Sequence, residues 1–252
     1  MAYSRSFFKD ILILTKTGTR GKLWLTLLLA RSTFYNNKLK KEGIIMNNPE
    51  ATTQALAILR NGDNFQWYII PLLMVVFYIY FDEYSRKNYN CIAAGLSLYM
   101  VHWFYEIVNA LIQHCSGHAL WTVPTGTGFL LLVGVGAELS IMFAAAGIVY
   151  SKLLDPDPKK KIFGINNRLF IAIGAAAFFS IFEIFLAKTP AFVWVYPWWG
   201  SLTVFITVYI PFFVVSMYSY DWKPKTQKIV IGALFGVNAL MLIVFAGILK
   251  WI

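Results

Sequence analysis

The fold is decided by residues 91–113, which read CIAAGLSLYMVHWFYEIVNALIQ. This segment contains one histidine and one glutamate, and it contains no lysine, arginine or aspartate. A helix needs roughly 17 to 25 mostly apolar residues to cross a hydrocarbon core about 30 Å thick. The segment therefore predicts a helix that spans a membrane.

The composition places most of the chain in lipid. Hydrophobic residues make up 58% of the sequence, charged residues make up 13%, and the mean hydropathy is +0.60. A soluble domain of this length does not reach such values. The sequence predicts an all-α fold, a polytopic membrane helix bundle with about six transmembrane helices. The five other predicted spans are 66–81, 127–150, 169–187, 201–220 and 229–249.

The distribution of Lys and Arg among the loops predicts on which side of the membrane each loop lies. The loops after spans one, three and five carry ten Lys and Arg in total. The loops after spans two and four and the C-terminal tail carry two in total. The positive-inside rule makes the first set cytoplasmic. The net charge of +10 is explained by this clustering, so we predict no nucleic-acid partner.

Ten further basic residues before the first span contradict this orientation, because six spans place both termini outside. Three explanations are open. Residues 1–45 contain a seventh span, or lie on the cytoplasmic surface as a basic amphipathic segment, or precede the true start of the native protein. The last is favoured, because Lys41-Glu-Gly can be encoded as a ribosome-binding sequence shortly before Met46. We predict a basic N-terminal segment, 1–45, and one transmembrane helical domain, 46–252.

Ionisable and amide side chains occur inside the predicted spans, where they are costly and by default suggest function. His102, Glu106, Asn109 and Gln113 are spaced by four, three and four residues, which places them on one face of the second span. The other two acids are Glu138, predicted halfway along span three, and Glu183, near the outer end of span four. With the inferred orientation these groups converge on the outer side of the membrane.

A buried carboxyl group in apolar surroundings can remain protonated at neutral pH and act as a general acid. Such an acid can protonate an isoprenoid alkene, and aromatic faces can stabilise the carbocation that forms. We therefore predict that the acid–base groups are Glu106, Glu138, Glu183, His102 and Asn109. In the alternative, these groups only hydrogen-bond the helices together.

Aromatic and polar residues near the outer surface are candidates for substrate binding. Residues 189–200 contain three tryptophans and two prolines, which is typical of an aromatic belt at the lipid headgroups. The alternative is that they line the mouth of a pocket that faces lipid. On that alternative the predicted substrate-binding residues are Trp103, Gln113, Thr125, Trp194, Tyr196 and Trp198.

A metal site is a second chemical hypothesis. His102 and Glu106 are four residues apart, as are His114 and His118, and one helical turn can present such a pair to a single ion. Imidazole and carboxylate ligands suit zinc or iron better than copper. The acid–base hypothesis itself requires no cofactor.

The stretch His102-Trp-Phe-Tyr-Glu-Ile-Val-Asn109, followed spans later by Glu183 in an aromatic setting, resembles two families of small integral-membrane isoprenoid enzymes. One is the membrane terpene cyclases of meroterpenoid pathways, which carry a span-borne glutamate after an aromatic residue. The other is the membrane carotenoid cyclase and hydratase group, whose Glu, Thr, Tyr pattern is similar to Glu183, Thr189 and Tyr196. The resemblance implies that Glu106 and Glu183 are the catalytic acids.

The leading hypothesis is thus a multi-pass enzyme of the cell membrane that acts on an isoprenoid or another apolar lipid drawn from the bilayer. A proton- or ion-coupled transporter is the first alternative, because intramembrane acids also mark ion paths. The second alternative is an accessory subunit of a membrane complex. No Gly-Lys-Ser/Thr phosphate loop is present in the sequence.

Overall fold

The structure is a computed structural model, and it describes residues 46–252. These residues form one compact unit. The alternatives predicted for residues 1–45 lie outside the described residues.

Helices dominate the described part of the chain, which confirms the predicted helical membrane fold. Four of them, α3, α5, α6 and α7 as defined below, are long and apolar enough to cross a membrane, whereas α2 and α4 are shorter. The α-helices are α1 Ala51–Ile58, α2 Ile69–Ser85, α3 Tyr89–Ser116, α4 Ala137–Ser151, α5 Asn167–Leu186, α6 Ser201–Ser219 and α7 Pro224–Ile248. A single 3₁₀ turn, Gly62–Asn64, lies between α1 and α2.

Helix α3 is the centre of the bundle and packs against α2, α4, α6 and α7, while α5 packs against α6. Helix α7 contacts the bundle along one side, and large apolar side chains such as Phe235 and Leu240 remain exposed on it. Exposed apolar surface of this extent is typical of a face that contacts lipid.

Short strands connect the helix ends. Strand β1, Trp121–Thr122, pairs antiparallel with β6, Val193–Trp194, and we call this pair the tryptophan ribbon. The ribbon joins the loop after α3 to the loop after α5, so these loops lie on the same side of the bundle. The other pairs are hairpins: β2 Leu130–Leu132 with β3 Val135–Gly136, and β4 Lys161–Ile162 with β5 Ile165–Asn166.

The prediction for the third span was wrong at its beginning. A helix was expected over 127–150, but helix α4 begins only at Ala137, because 127–136 are taken up by a loop and the β2–β3 hairpin. A Cβ atom on Gly136 would lie 2.2 Å from Oγ1 of Thr127, so the glycine allows the hairpin to approach the loop. Helix α4 is consequently about 22 Å long, short for a complete crossing.

Arg168 lies in the first turn of α5 and joins this helix to two other segments of the chain. Its side chain is buried, and its guanidinium contacts both carboxylate oxygens of Asp221 at 2.7 and 2.9 Å. It also donates to the carbonyl of Asp155 at 2.6 Å. Arg168 therefore fastens the start of α5 to the α4–α5 loop and to the turn between α6 and α7. Its pairing satisfies a charge that would otherwise be costly to bury.

Helix α6 contains the interior break that Pro211 predicts. Phe205–Tyr209 has π-helical hydrogen bonding immediately before the proline. Proline removes the donor that would bond the carbonyl four residues earlier. That carbonyl, on Thr207, accepts a hydrogen bond from the hydroxyl of Tyr105 on α3 at 3.0 Å instead.

We predict that Gly147→Ala destabilises the bundle. A Cβ atom there would lie 2.7 Å from the carbonyl oxygen of Ala94 and from Cα of Gly95, so α3 and α4 would have to separate. Such overpacking typically costs about 1–3 kcal/mol, which thermal unfolding in detergent would measure. Gly174→Ala on α5 is the control, because its Cβ would meet nothing within 4 Å. Equal unfolding temperatures for the two variants would contradict the close packing.

Candidate active site

Two glutamates from different helices line one cavity inside the bundle. Glu106 of α3 and Glu183 of α5 are 6% and 5% exposed. The cavity volume is about 40 Å³, which is room for about three water molecules. The other lining residues are His102, Trp121, Gly134, Leu139, Met142, Phe143, Phe179, Phe182, Leu186, Phe192, Val204, Val208, Tyr209 and Phe212.

The tryptophan ribbon supplies a hydrogen-bond donor to each glutamate. The indole N–H of Trp121 contacts both carboxylate oxygens of Glu106, at 3.3 and 3.2 Å. The indole N–H of Trp194 donates to Oε1 of Glu183 at 2.6 Å. Trp121 and Trp194 are directly opposite each other in the ribbon, so their side chains lie on the same face of it. One strand pair therefore positions both carboxylates.

Tyr209 satisfies the remaining oxygen of Glu183. Its hydroxyl donates to Oε2, and its side chain is buried in the cavity wall. Tyr209 is the last residue of the π-helical segment of α6. Single π-helical turns often occur at functional sites because they redirect side chains. Both oxygens of Glu183 are thus held, one from the ribbon and one from α6.

His102 lies beside Glu106 and is enclosed by aromatic rings. Its Nε2 is 3.4 Å from Oε1 of Glu106, without hydrogen-bond geometry. Its ring stacks on Phe143 with centroids 4.2 Å apart, and Phe212 meets it edge to face. Within residues 46–252, neither of its nitrogens has a hydrogen-bond partner. His102 therefore lies close to Glu106 in the cavity without a hydrogen bond to it.

Asn109 holds the ribbon rather than facing the cavity. Its side-chain amide donates to the carbonyl of Trp121 at 2.9 Å, and its oxygen accepts the N–H of Leu120 at 2.8 Å. Gly134 makes room for this arrangement, because a Cβ there would lie 2.5 Å from Nδ2 of Asn109 and from Nε1 of Trp121. Asn109 was predicted among the acid–base groups, and its contacts instead assign it to positioning Trp121.

Glu138 was predicted halfway along a span, and this position was wrong because α4 begins at Ala137. It lies in the first turn of that helix and accepts hydrogen bonds from the Thr127 hydroxyl and the Gly128 N–H, both at 2.6 Å, and from the Tyr68 hydroxyl. All of these donors come from the segments that precede α2 and α4. Glu138 therefore fixes those segments together.

Glu138 lines a second pocket next to the cavity, with a volume of about 240 Å³. The second pocket and the cavity share five apolar lining side chains: Leu139, Met142, Phe182, Leu186 and Phe192. These shared side chains lie between Glu138 and the space that contains Glu106 and Glu183.

The predicted substrate-binding residues are mostly elsewhere. Trp194 reaches Glu183, but the other five lie in the described part of the chain and do not line the cavity: Trp103, Gln113, Thr125, Tyr196 and Trp198. Trp198 is exposed and packs against Tyr196 with ring centroids 5.5 Å apart, as expected of an aromatic belt.

The four predicted metal ligands do not come together. His102 and Glu106 share the cavity, whereas His114 stacks on Trp251 with ring centroids 4.6 Å apart. His118 is buried in the loop after α3, where burial lowers its pKa and keeps it neutral. Within residues 46–252, no three His, Cys, Asp or Glu side chains form a group that could hold a metal ion. Helix α3 ends at Ser116, so His114 and His118 do not share a helical turn.

Sequence reasoning missed Trp121 and Tyr209. Trp121 is 15 residues beyond Glu106 in a loop, and no helical spacing relates the two residues. Tyr209 is two residues before Pro211, and a proline break in a span was the one signal that pointed to it.

Together these features define a multi-pass helical membrane protein with two carboxyl groups in an intramembrane cavity. Residues 49–247 match a family described as an uncharacterized membrane protein family, and the chain belongs to it. An uncharacterized protein of Archaeoglobus fulgidus is 44% identical over 208 residues, 81% of this chain and 99% of that relative. A second one from the same organism is 40% identical over 50 residues, 19% of this chain and 89% of the relative. No solved structure matches the chain significantly.

We predict that Glu138→Gln lowers stability, because an amide offers one acceptor oxygen where three donors now meet a carboxylate. The N–H of Gly128 is buried, and a buried donor left unpaired costs about 1–3 kcal/mol, which thermal unfolding in detergent would show. Glu50→Gln is the control, since Glu50 is exposed. An unchanged unfolding temperature for Glu138→Gln would show that the hydrogen bonds of Glu138 do not stabilise the fold.

Proposed function

We propose that this protein is an enzyme of the cell membrane that acts on an isoprenoid or another lipid by intramembrane acid–base chemistry, of the cyclase or hydratase type. The observation that carries the proposal is the pair Glu106 and Glu183, buried in one aromatic cavity and each oriented by a tryptophan of the ribbon. Helix packing alone does not require that one strand pair orient two acids. Functional side chains, in contrast, are typically held in place by hydrogen bonds from neighbouring residues.

The proposed step uses the two carboxyl groups in different states. One carboxyl group is protonated and the other is ionised. The protonated carboxyl transfers its proton to one carbon of an alkene, and the π electrons of the alkene form the new C–H bond. The adjacent carbon becomes a cation. The other carboxylate then removes a proton from a neighbouring carbon and restores a double bond, or water adds at the cation and gives up a proton to that carboxylate.

The cavity wall suits a cationic intermediate. The aromatic side chains of Phe143, Phe179, Phe212 and Tyr209 line the space. The faces of aromatic rings attract a cation by about 2 kcal/mol or more when water is excluded. An aliphatic wall of the same volume would supply packing without this attraction.

Access from the bilayer favours an apolar substrate. Phe182 lines both the cavity and the second pocket, yet 43% of its surface is exposed on the outside of α5. A single layer of side chains therefore separates the carboxyl groups from lipid. Met142, which has a flexible side chain, lies in the same wall. In the proposal the end of a hydrocarbon chain enters between these side chains, while the remainder stays in the second pocket and the bilayer.

Deuterium labelling tests the chemistry without knowledge of the product. Proteoliposomes of the full-length protein are incubated in D₂O with polyprenols and with lipid extracted from the native membrane. Protonation by an exchanged carboxyl group places one deuterium on carbon, and mass spectrometry then finds product heavier by one mass unit. We expect Glu106→Gln and Glu183→Gln to abolish this label, because glutamine has no proton of comparable acidity to transfer.

The control for labelling is Glu50→Gln, which changes an exposed carboxylate and leaves the cavity intact. Circular dichroism and gel filtration establish that each variant is folded. The proposal fails if the wild-type protein puts no deuterium on carbon in any lipid fraction, or if both cavity variants label as efficiently as the control. Proton uptake by the same vesicles, lost in the two cavity variants and without labelled lipid, would replace the proposal with a proton-coupled transporter.

A further inference from the structure

A large groove lies on the opposite side of the molecule from the tryptophan ribbon. It is about 840 Å³ in volume and is bounded by the beginning of α3 and the beginning of α7. We call it the basic groove, because Lys87 and Lys228 lie at its mouth beside Asn90 and Gln227. It has no residue in common with the carboxylate cavity.

The mouth of the basic groove is electropositive. Both α3 and α7 begin there, at Tyr89 and Pro224, so the positive ends of two helix dipoles add to the two lysine charges. No acidic residue is among its lining residues in the described part of the chain.

Two acids close in sequence to the lining residues already form ion pairs. Glu83 contacts Lys152, and Asp221 contacts Arg168. Within residues 46–252, neither lysine of the groove forms an ion pair with a carboxylate.

The rest of the basic groove is apolar. On α3 its lining includes Ile92, Leu96 and Met100, which follow one another at every fourth residue, and α7 contributes Ile231 and Phe235 in the same spacing. The stripe from 92 to 100 is about 12 Å long. Helix α7 exposes most of its surface outside the bundle, so this stripe is continuous with the hydrocarbon region. A cationic mouth above an apolar channel is complementary to an anionic amphiphile and not to a free ion.

We propose that the basic groove binds an anionic membrane lipid, with its phosphate between Lys87 and Lys228 and the first part of one hydrocarbon chain along α3 and α7. Basic groups near a membrane surface attract anionic lipid by about 1 kcal/mol each. The proposed ligand bridges α3 and α7 across the space that residues 46–252 leave open. This site is independent of the proposed acid–base chemistry.

Native mass spectrometry of the full-length protein in detergent tests the proposal. The protein is titrated with phosphatidylglycerol and, separately, with phosphatidylcholine of the same chains. We expect tighter binding of phosphatidylglycerol, and about thirtyfold weaker binding in the double variant Lys87→Gln, Lys228→Gln. The matched control is Lys159→Gln, Lys161→Gln, which removes the same charge near the β4–β5 hairpin on the same side, outside the groove.

A second variant tests the apolar part separately. A Cβ at Gly232 meets nothing within 4 Å, and Gly232 lines the groove, so Gly232→Leu should fill the groove without disturbing the helix. We expect loss of phosphatidylglycerol binding with an unchanged unfolding temperature.

Three results would overturn the proposal. Equal weakening of phosphatidylglycerol binding in the hairpin control would indicate an effect of general surface charge, and displacement of the lipid by excess inorganic phosphate would indicate a site for a free anion. The third is a second protein chain that binds in place of the lipid and is lost in Gly232→Leu.

Discussion

Two carboxyl groups inside a helix bundle need hydrogen-bond donors, and the backbones of the helices cannot supply them. Backbone N–H groups within a transmembrane helix are already used by the helix itself, and an unsatisfied polar group in hydrocarbon costs several kcal/mol. Here the donors are the indoles of Trp121 and Trp194 and the hydroxyl of Tyr209. Since the two indoles belong to a strand pair between helices, the loops that carry them have to enter the bundle. This requirement explains much of the remaining architecture.

The loops can enter the bundle because small residues in them allow close packing. Gly134 leaves room for Trp121 and Asn109, and Gly136 lets the β2–β3 hairpin reach Thr127. The hairpin occupies the depth that the first turns of α4 would otherwise fill, so α4 is short. Glu138, at the start of that helix, then binds the surrounding loop through Thr127, Gly128 and other donors. The short fourth helix and the ordered loops are thus two results of one constraint.

The two ends of the molecule use charge in different ways. At the ribbon end Glu106 and Glu183 are enclosed by aromatic rings and held by the neutral donors Trp121, Trp194 and Tyr209. At the other end, Arg168 with Asp221 and Lys152 with Glu83 join loops through ion pairs. These pairs engage Glu83 and Asp221, and Lys87 and Lys228 line the groove between α3 and α7. The proposed acid–base site and the proposed lipid site therefore lie at separate ends of the bundle.

The sequence alone determined the fold class and the approximate positions of the long apolar helices, because lipid as a solvent imposes long apolar runs. It also identified Glu106 and Glu183, since an acid within an apolar run is conspicuous. Only the tertiary structure decided which acids share a cavity and which residues hold them. Trp121 meets Trp194 across 73 residues of chain, and such non-local strand pairing leaves no periodic pattern in the sequence.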